Sequence, residues 1–374
     1  MHRFDRRRYG KQQIVLSLFL LLIGRSVSVW GQLPVGCDYE INMEWKAADI
    51  RSCSGYKAGY IGISTGSSSD KAIIIKGSKK FWVHGKNIDN YYRLIVNGDA
   101  LDATVYLDNA TITHGEKVPI WVQGRAGLKL YIMGNSMLKA TDAGDPGIQV
   151  EPNASLTIYQ ASGYSGTLTV DGGATASGIG GSSSIPSYGN ITINSGNLLL
   201  WGDGYYPAIG HYNGAGTINI RGGRVEIATG DFYGIGNDNT TVNISGGTIL
   251  FNSNGNSYMS GIKGNKVSIS GNSVITLNNK SILSNELTIS GGKITCTNGT
   301  ISGSGTIVIT GGEVTTSGSS YGISGNLNLS GGKVRASGTS HGLSANYNAT
   351  VTVTNGELYL SGGSVDLGCG TLNM

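Results

Sequence analysis

Hydrophobic residues in this chain come in short alternating stretches rather than in long runs or helical stripes. Ile307-Val308-Ile309 and Leu327-Asn328-Leu329 are examples. Alternation puts every second side chain on one face, which is what a half-buried strand requires, and β-branched residues suit that pleated surface. Written in register, the C-terminal half is a repeat: TINIRGGRVEIATG, TVNISGGTILFNSNG, KVSISGNSVITLNN, ELTISGGKITCTNG, TIVITGGEVTTSG, NLNLSGGKVRASG and TVTVTNGELYLSG. Its first apolar residues are Ile218, Val242, Val267, Leu287, Ile307, Leu327 and Val351, at steps of 24, 25, 20, 20, 20 and 24. Weaker copies are expected to begin at Val105, Leu130, Leu156 and Ile191.

Each copy has one grammar. A strand is followed by Gly-Gly or a similar pair that admits a turn closed to other residues. A second strand follows, and then a Gly-Ile or Gly-Leu step such as Gly322-Ile323 or Gly342-Leu343. Three short strands in about 20 residues make one coil of an all-β parallel β-helix, a solenoid whose coils stack at strand spacing. A sandwich of hairpins would not repeat three strands in register. Stacking puts Lys293, Glu313, Lys333 and Glu357 in one lateral row of alternating sign, which avoids like charges opposite each other. The inward row of the second strand reads Leu200, Ile227, Phe251, Thr276, Cys296, Thr316, Ala336 and Leu360. The chain thus divides into residues 1–31, residues 32–102 as an N-terminal cap with irregular first coils, and residues 103–374 as the solenoid. A short capping helix is expected over Asp38–Arg51, since natural solenoids cover their exposed strand edges. The C-terminal Thr371-Leu372-Asn373-Met374 resembles no such cover, so the expectation is either a partner covering that edge or a truncated gene product.

Residues 1–31 read as a secretory signal: a basic stretch from Arg3 to Lys11, the apolar run Ile14–Ile23, and Val29-Trp30-Gly31 as the cleavage site. The apolar run is half the length that spans a bilayer. The formal charge of +4 comes from this segment, which carries six basic residues against Asp5. The remainder has 21 basic and 22 acidic residues, which excludes the electrostatic footprint of a nucleic-acid or membrane-surface binder. Export to the cell surface, the periplasm or the medium favours a disulfide between Cys37 and Cys53, worth about 3 kcal/mol for so short a loop. Cys296 is read as a buried thiol, and Cys369 is left unassigned.

The stretches ATVYLDNATI (103–112), GNSMLKATDAGDPGIQVEPNASLTI (134–158), GTLTVDGGATASGIGG (166–181) and GNITINSGNLLLWG (189–202) resemble bacterial carbohydrate-binding-domain proteins. Those proteins have a pectate-lyase-like right-handed β-helix. The resemblance covers about Ala103 to Gly363. It implies a right-handed coil and an exported polysaccharide-binding protein, some relatives binding acidic glycans with Ca²⁺. Enzymes on this fold cleave uronate polysaccharides with clustered carboxylates around Ca²⁺ and an Arg or Lys base.

Asp142, Asp145 and Glu151 form one acidic stretch, and Asp203 and Asp231 fall in equivalent loops of consecutive coils, followed by Asn254. Oxygen ligands on stacked loops are what Ca²⁺ takes, but Asp and Asn are also ordinary turn residues, and no basic residue accompanies either group in a repeated position. No catalytic residue is assigned, no cofactor beyond a Ca²⁺ option is expected, and the reading leans away from an enzyme. The aromatic residues say more. Trp201, Tyr205, Tyr206, Tyr212, Phe232, Tyr233 and Tyr258 crowd the loops between second and third strands of three coils, interleaved with Asp203, Asp231 and His211. Rings with a face and a hydroxyl are suited to holding a sugar. The expected function is therefore non-catalytic glycan binding or adhesion. The alternatives are a Ca²⁺-dependent lyase or hydrolase and a structural spacer.

Overall fold

The computed structural model describes residues 37–44, 50–52, 61–65, 71–86, 92–228, 233–251, 259–344, 350–363, 367–368 and 371–373. No helix occurs among them; every regular element is a strand. The strands build a parallel β-solenoid of about 11 turns with three sheets.

Each sheet is organised by columns of inward aliphatic side chains. In sheet 1 the column runs Ile73, Leu94, Ile120, Ile148, Ile179, Ile209, Ile235, Ile262, Ile282, Ile301, Ile323 and Leu343. All of these are fully buried. From Ile148 to Ile235 these strands are only two or three residues long, whereas at Ile282 and Ile301 they run on without a break into the next sheet. Sheet 2 stacks Ala103, Leu128, Leu156, Ile191, Ile218, Val242, Val267, Leu287, Ile307, Leu327 and Val351. Two of the weaker copies therefore start two residues earlier than the repeat predicts, at Ala103 and Leu128 instead of Val105 and Leu130. The alternation is identical at both starts, so it cannot distinguish them.

Sheet 3 stacks Ile112, Leu138, Val170, Leu200, Ile227, Phe251, Leu277, Cys296, Thr316, Ala336 and Leu360. Leu277, not Thr276, occupies the inward place. The turn Ser270–Ser273 is one residue longer than its neighbour, and a one-residue shift moves side chains to the other face. The polar members of this column are satisfied: Thr316 Oγ1 lies 3.0 Å from the carbonyls of Gly299 and Gly322, either of which can accept its one proton. Cys296 Sγ donates to the Lys280 carbonyl at 3.0 Å, and burial pushes this free thiol up to about 12.

The Gly-Gly turns between sheets 2 and 3 stack as expected. At Gly312 φ is +87°, and an added Cβ would lie 2.8 Å from the backbone of the preceding turn, Gly291-Gly292. Beside this row Lys293, Glu313, Lys333 and Glu357 are lateral neighbours. Lys293 and Glu313 approach to 3.4 Å and Lys333 and Glu357 to 2.6 Å. Other corners use Asn in the left-handed region: Asn279 and Asn298 have φ of 55° and 52°, and their amides bond at 3.1 Å.

At the N-terminal end the expected helix over Asp38–Arg51 is replaced by strands Tyr39–Asn42 and Ile50–Ser52, paired antiparallel. Tyr39 and Ile41 alternate inward and stack on Phe81 and Val83, so the strand period takes precedence over any helical one. Parallel pairing is already present between Lys71–Ile75 and Tyr92–Val96. Cys37 is disulfide-bonded; Cys53 and Cys369 lie outside the described residues.

Candidate functional site

Sheet 3 ends at a corner where three consecutive coils place different chemistry side by side. Lys139, Asp171 and Trp201 are in lateral register on the outer face, because each stands one residue past an inward aliphatic side chain. Lys139 Nζ lies 2.6 Å from Asp171 Oδ2. Trp201 is 43% exposed although it belongs to a strand. Together with Thr141, Gly172, Gly173, Ala174 and Asp203 these residues line an open groove of about 430 Å³. The floor is bare backbone. A Cβ on Gly173 would lie 1.7 Å from the Asp142 carbonyl, so only glycine lets the two corners approach.

Asp203 closes one end of the groove. Its Oδ2 accepts the Thr175 N–H at 3.1 Å. Thr175 has φ of 54°, costly for a β-branched residue by about 1–2 kcal/mol, and the bond to Asp203 helps to hold it.

The other expected site residues divide into three groups. Tyr205, 59% exposed, and Tyr206 lie in the corner after Trp201. Tyr212 lies past the third strand, one corner further on, yet packs back against Tyr206 with ring centres 4.9 Å apart. His211, buried, completes a triangle with them, its ring centre 4.9 Å from both. Its Nε2 has no hydrogen-bond partner, and burial lowers the imidazole to about 4. Burial also raises the Tyr206 phenol, with a smaller contribution from Tyr212. The third group is less open: Tyr233 is half-buried, and Lys263, 4.8 Å from its ring centre, bonds Asp238 at 2.8 Å. Asp231, Phe232, Asn254 and Tyr258 lie outside the described residues.

The acidic stretch is split by the fold. Asp142 and Asp145 stand in the corner after sheet 3, whereas Glu151 stands past the next strand and accepts the Gly124 N–H at 2.6 Å. Burial holds the Asp145 carboxyl above its ordinary range, against the opposing pull of Lys117. Among the described residues no three His, Cys, Asp or Glu side chains converge as metal ligands would.

Two aromatic groups escaped the sequence reading. On the outer face of sheet 2, Tyr106, Tyr131 and Tyr159 are in register with each other, and Tyr106 with Trp82. Neighbouring tyrosine rings stack 5.0 and 4.8 Å apart. Each lies three residues after Ala103, Leu128 and Leu156, a spacing visible only once the register is corrected. Their faces cover one another, which makes them a brace rather than a platform. The other is Tyr359 on sheet 3, 51% exposed, with Arg335 and Lys333 of the preceding coil 4.9 and 5.3 Å from its ring centre.

No family model, no curated protein and no solved structure matches this chain. Function rests on the site itself.

Proposed function

We propose that this chain is exported by residues 1–31 and acts as a non-catalytic polysaccharide-binding or adhesive protein of the cell surface or its surroundings. The solenoid is read as right-handed, as crossovers between parallel strands generally are. One observation carries the functional reading: an indole exposed along the groove that also holds the Lys139–Asp171 pair and Asp203. A core has no use for a tryptophan there. A sugar ring does, since it stacks a C–H face on the indole and shares its hydroxyls with the carboxylates and the ammonium group. Tyr205, exposed in the corner that follows Trp201, offers a further ring.

The test is a glycan array probed with the full chain, with and without Ca²⁺, followed by quantitative binding of the best hit. Trp201→Ala is expected to weaken binding about tenfold, with an unchanged melting temperature because the ring is not in the core. Full binding by the variant removes the site from this groove. Release of unsaturated uronate products by the wild-type chain favours the lyase alternative, and failure to bind any glycan favours the spacer.

A further inference from the structure

The outer face of sheet 3 carries more than one groove. Beyond the groove at Trp201, a second is lined by Leu199, Arg224 and Glu226, and a third by Arg335, Ser337, Tyr359 and Ser361. All three open on the same face, and Trp201 and Tyr359 stand seven strand steps apart along it. At about 4.8 Å per step that is about 34 Å.

Over the coils nearer Tyr359 the face is ruled with hydroxyls, whereas the two coils next to Trp201 present Glu226 and Leu250 in the same row. Thr276, Thr295 and Thr315 stack in one outward row, and Ser317, Ser337 and Ser361 in the next. The charges of the face are internally cancelled. Lys139 pairs with Asp171, Arg224 with Glu226 at 3.1 Å, Lys293 with Glu313, and Lys333 with Glu357. Arg335 lies 3.9 Å from Glu313. Every charged residue just named has its opposite within reach, so the face projects little net field toward a polyanion.

We infer that this face is a single track for a linear, uncharged polysaccharide, with Trp201 and Tyr359 as its two stacking ends and the Thr and Ser rows as the hydrogen-bonding floor of the half nearer Tyr359. The inference rests on the glycan-binding reading above and adds the ligand class and the second platform. A chain lying along the axis meets an equivalent backbone position at each strand step and can reach all three grooves, whereas a compact ligand meets only one. Two weak platforms joined by one polymer bind with the gain of an intramolecular second contact, and that gain vanishes for any oligomer too short to reach both.

The experiment uses the full chain with linear β-glucan, mannan and xylan, short oligomers of each, and polygalacturonate as the acidic probe. Affinities are measured at low salt and at about 0.5 M NaCl. The expected result is that one neutral polymer binds at least about tenfold more tightly than its short oligomers, equally at both salt concentrations. Tyr359→Ala and Trp201→Ala should each bring polymer affinity down toward that of the oligomers, whereas Tyr359→Phe, which keeps the ring, should retain it. Circular dichroism confirms folding of each variant. The inference is overturned if Trp201→Ala weakens polymer binding and Tyr359→Ala does not, since a single groove then suffices. It is also overturned if polygalacturonate is preferred and is released by salt. Absence of binding to every probe overturns the glycan-binding reading as well.

Discussion

His211 shows how much a single residue can depend on its surroundings. It follows the inward Ile209, and its imidazole is enclosed by Tyr206 and Tyr212 with Nε2 unpartnered. Protonation there would bury a charge with nothing to receive it, so the folded state holds the imidazole near 4 against an ordinary 6.5. Between those two values the unfolded chain binds the proton and the folded chain does not. Stability contributed by His211 is therefore complete above pH 6.5 and is lost as the pH falls toward 4, by roughly 3 kcal/mol at most. Denaturant titrations of wild type and His211→Gln should show a stability difference that shrinks or reverses across that window. Parallel curves would mean that the imidazole is open to water.

Among elements, the lateral row beside the Gly-Gly turns is the clearest case of sequence written for stacking. Glu313 faces Lys293 on one side and Lys333 on the other, and Arg335 approaches it as well. These side chains are partly exposed, so each pair is worth at most about 1 kcal/mol. Reversing the sign does more than removing it, because Glu313→Lys brings like charges into adjacent positions of one row. We expect this variant to lose about 1 kcal/mol at low salt and to recover much of it at about 1 M NaCl. Glu313→Gln should lose less. A salt-independent loss would assign the effect to packing of the stem rather than to charge.

At the scale of the whole solenoid, each coil packs only on its neighbours, and stability is a sum over adjacent interfaces. Phe251 is the largest inward side chain of the sheet 3 column, and the coils around it are shaped to its ring. A Cβ on Gly234 would lie 2.2 Å from Phe251 Cε1, and one on Gly261 would lie 3.4 Å from the same atom. Both glycines open the Gly-Ile step of sheet 1, so the ring spans the core from one sheet to another. Phe251→Ala should cost about 3–5 kcal/mol, because glycine neighbours have no side chain with which to fill the cavity. Hydrogen exchange should accelerate in the coils next to Phe251 and stay near wild type around Leu107 and Val334. A uniform acceleration along the chain would show that the solenoid opens as one unit.

From sequence alone the fold class, the coil period, the stacked Gly-Gly turns and the Lys293–Glu357 row were legible, because every coil meets the same steric demand and repeats the same answer. Cys296 could be placed in the core for the same reason. Legibility failed where coils differ in length. A turn one residue longer put Leu277 rather than Thr276 inside, and a slip of two residues in the N-terminal coils hid the stacked tyrosines on sheet 2. The candidate site was half visible. Trp201, Asp203 and the tyrosines stood out as aromatics and acids that the core did not need, but Tyr212 and Tyr233 could not be separated from them by spacing. Only the tertiary structure brought Lys139 and Asp171, 32 residues apart in sequence, into contact beside Trp201. The place of Tyr359 on the same face already follows from the inward row Leu200 to Leu360, whereas the contact of Lys139 with Asp171 does not, because lateral neighbours are set by the summed lengths of intervening corners, and those lengths vary among the N-terminal coils.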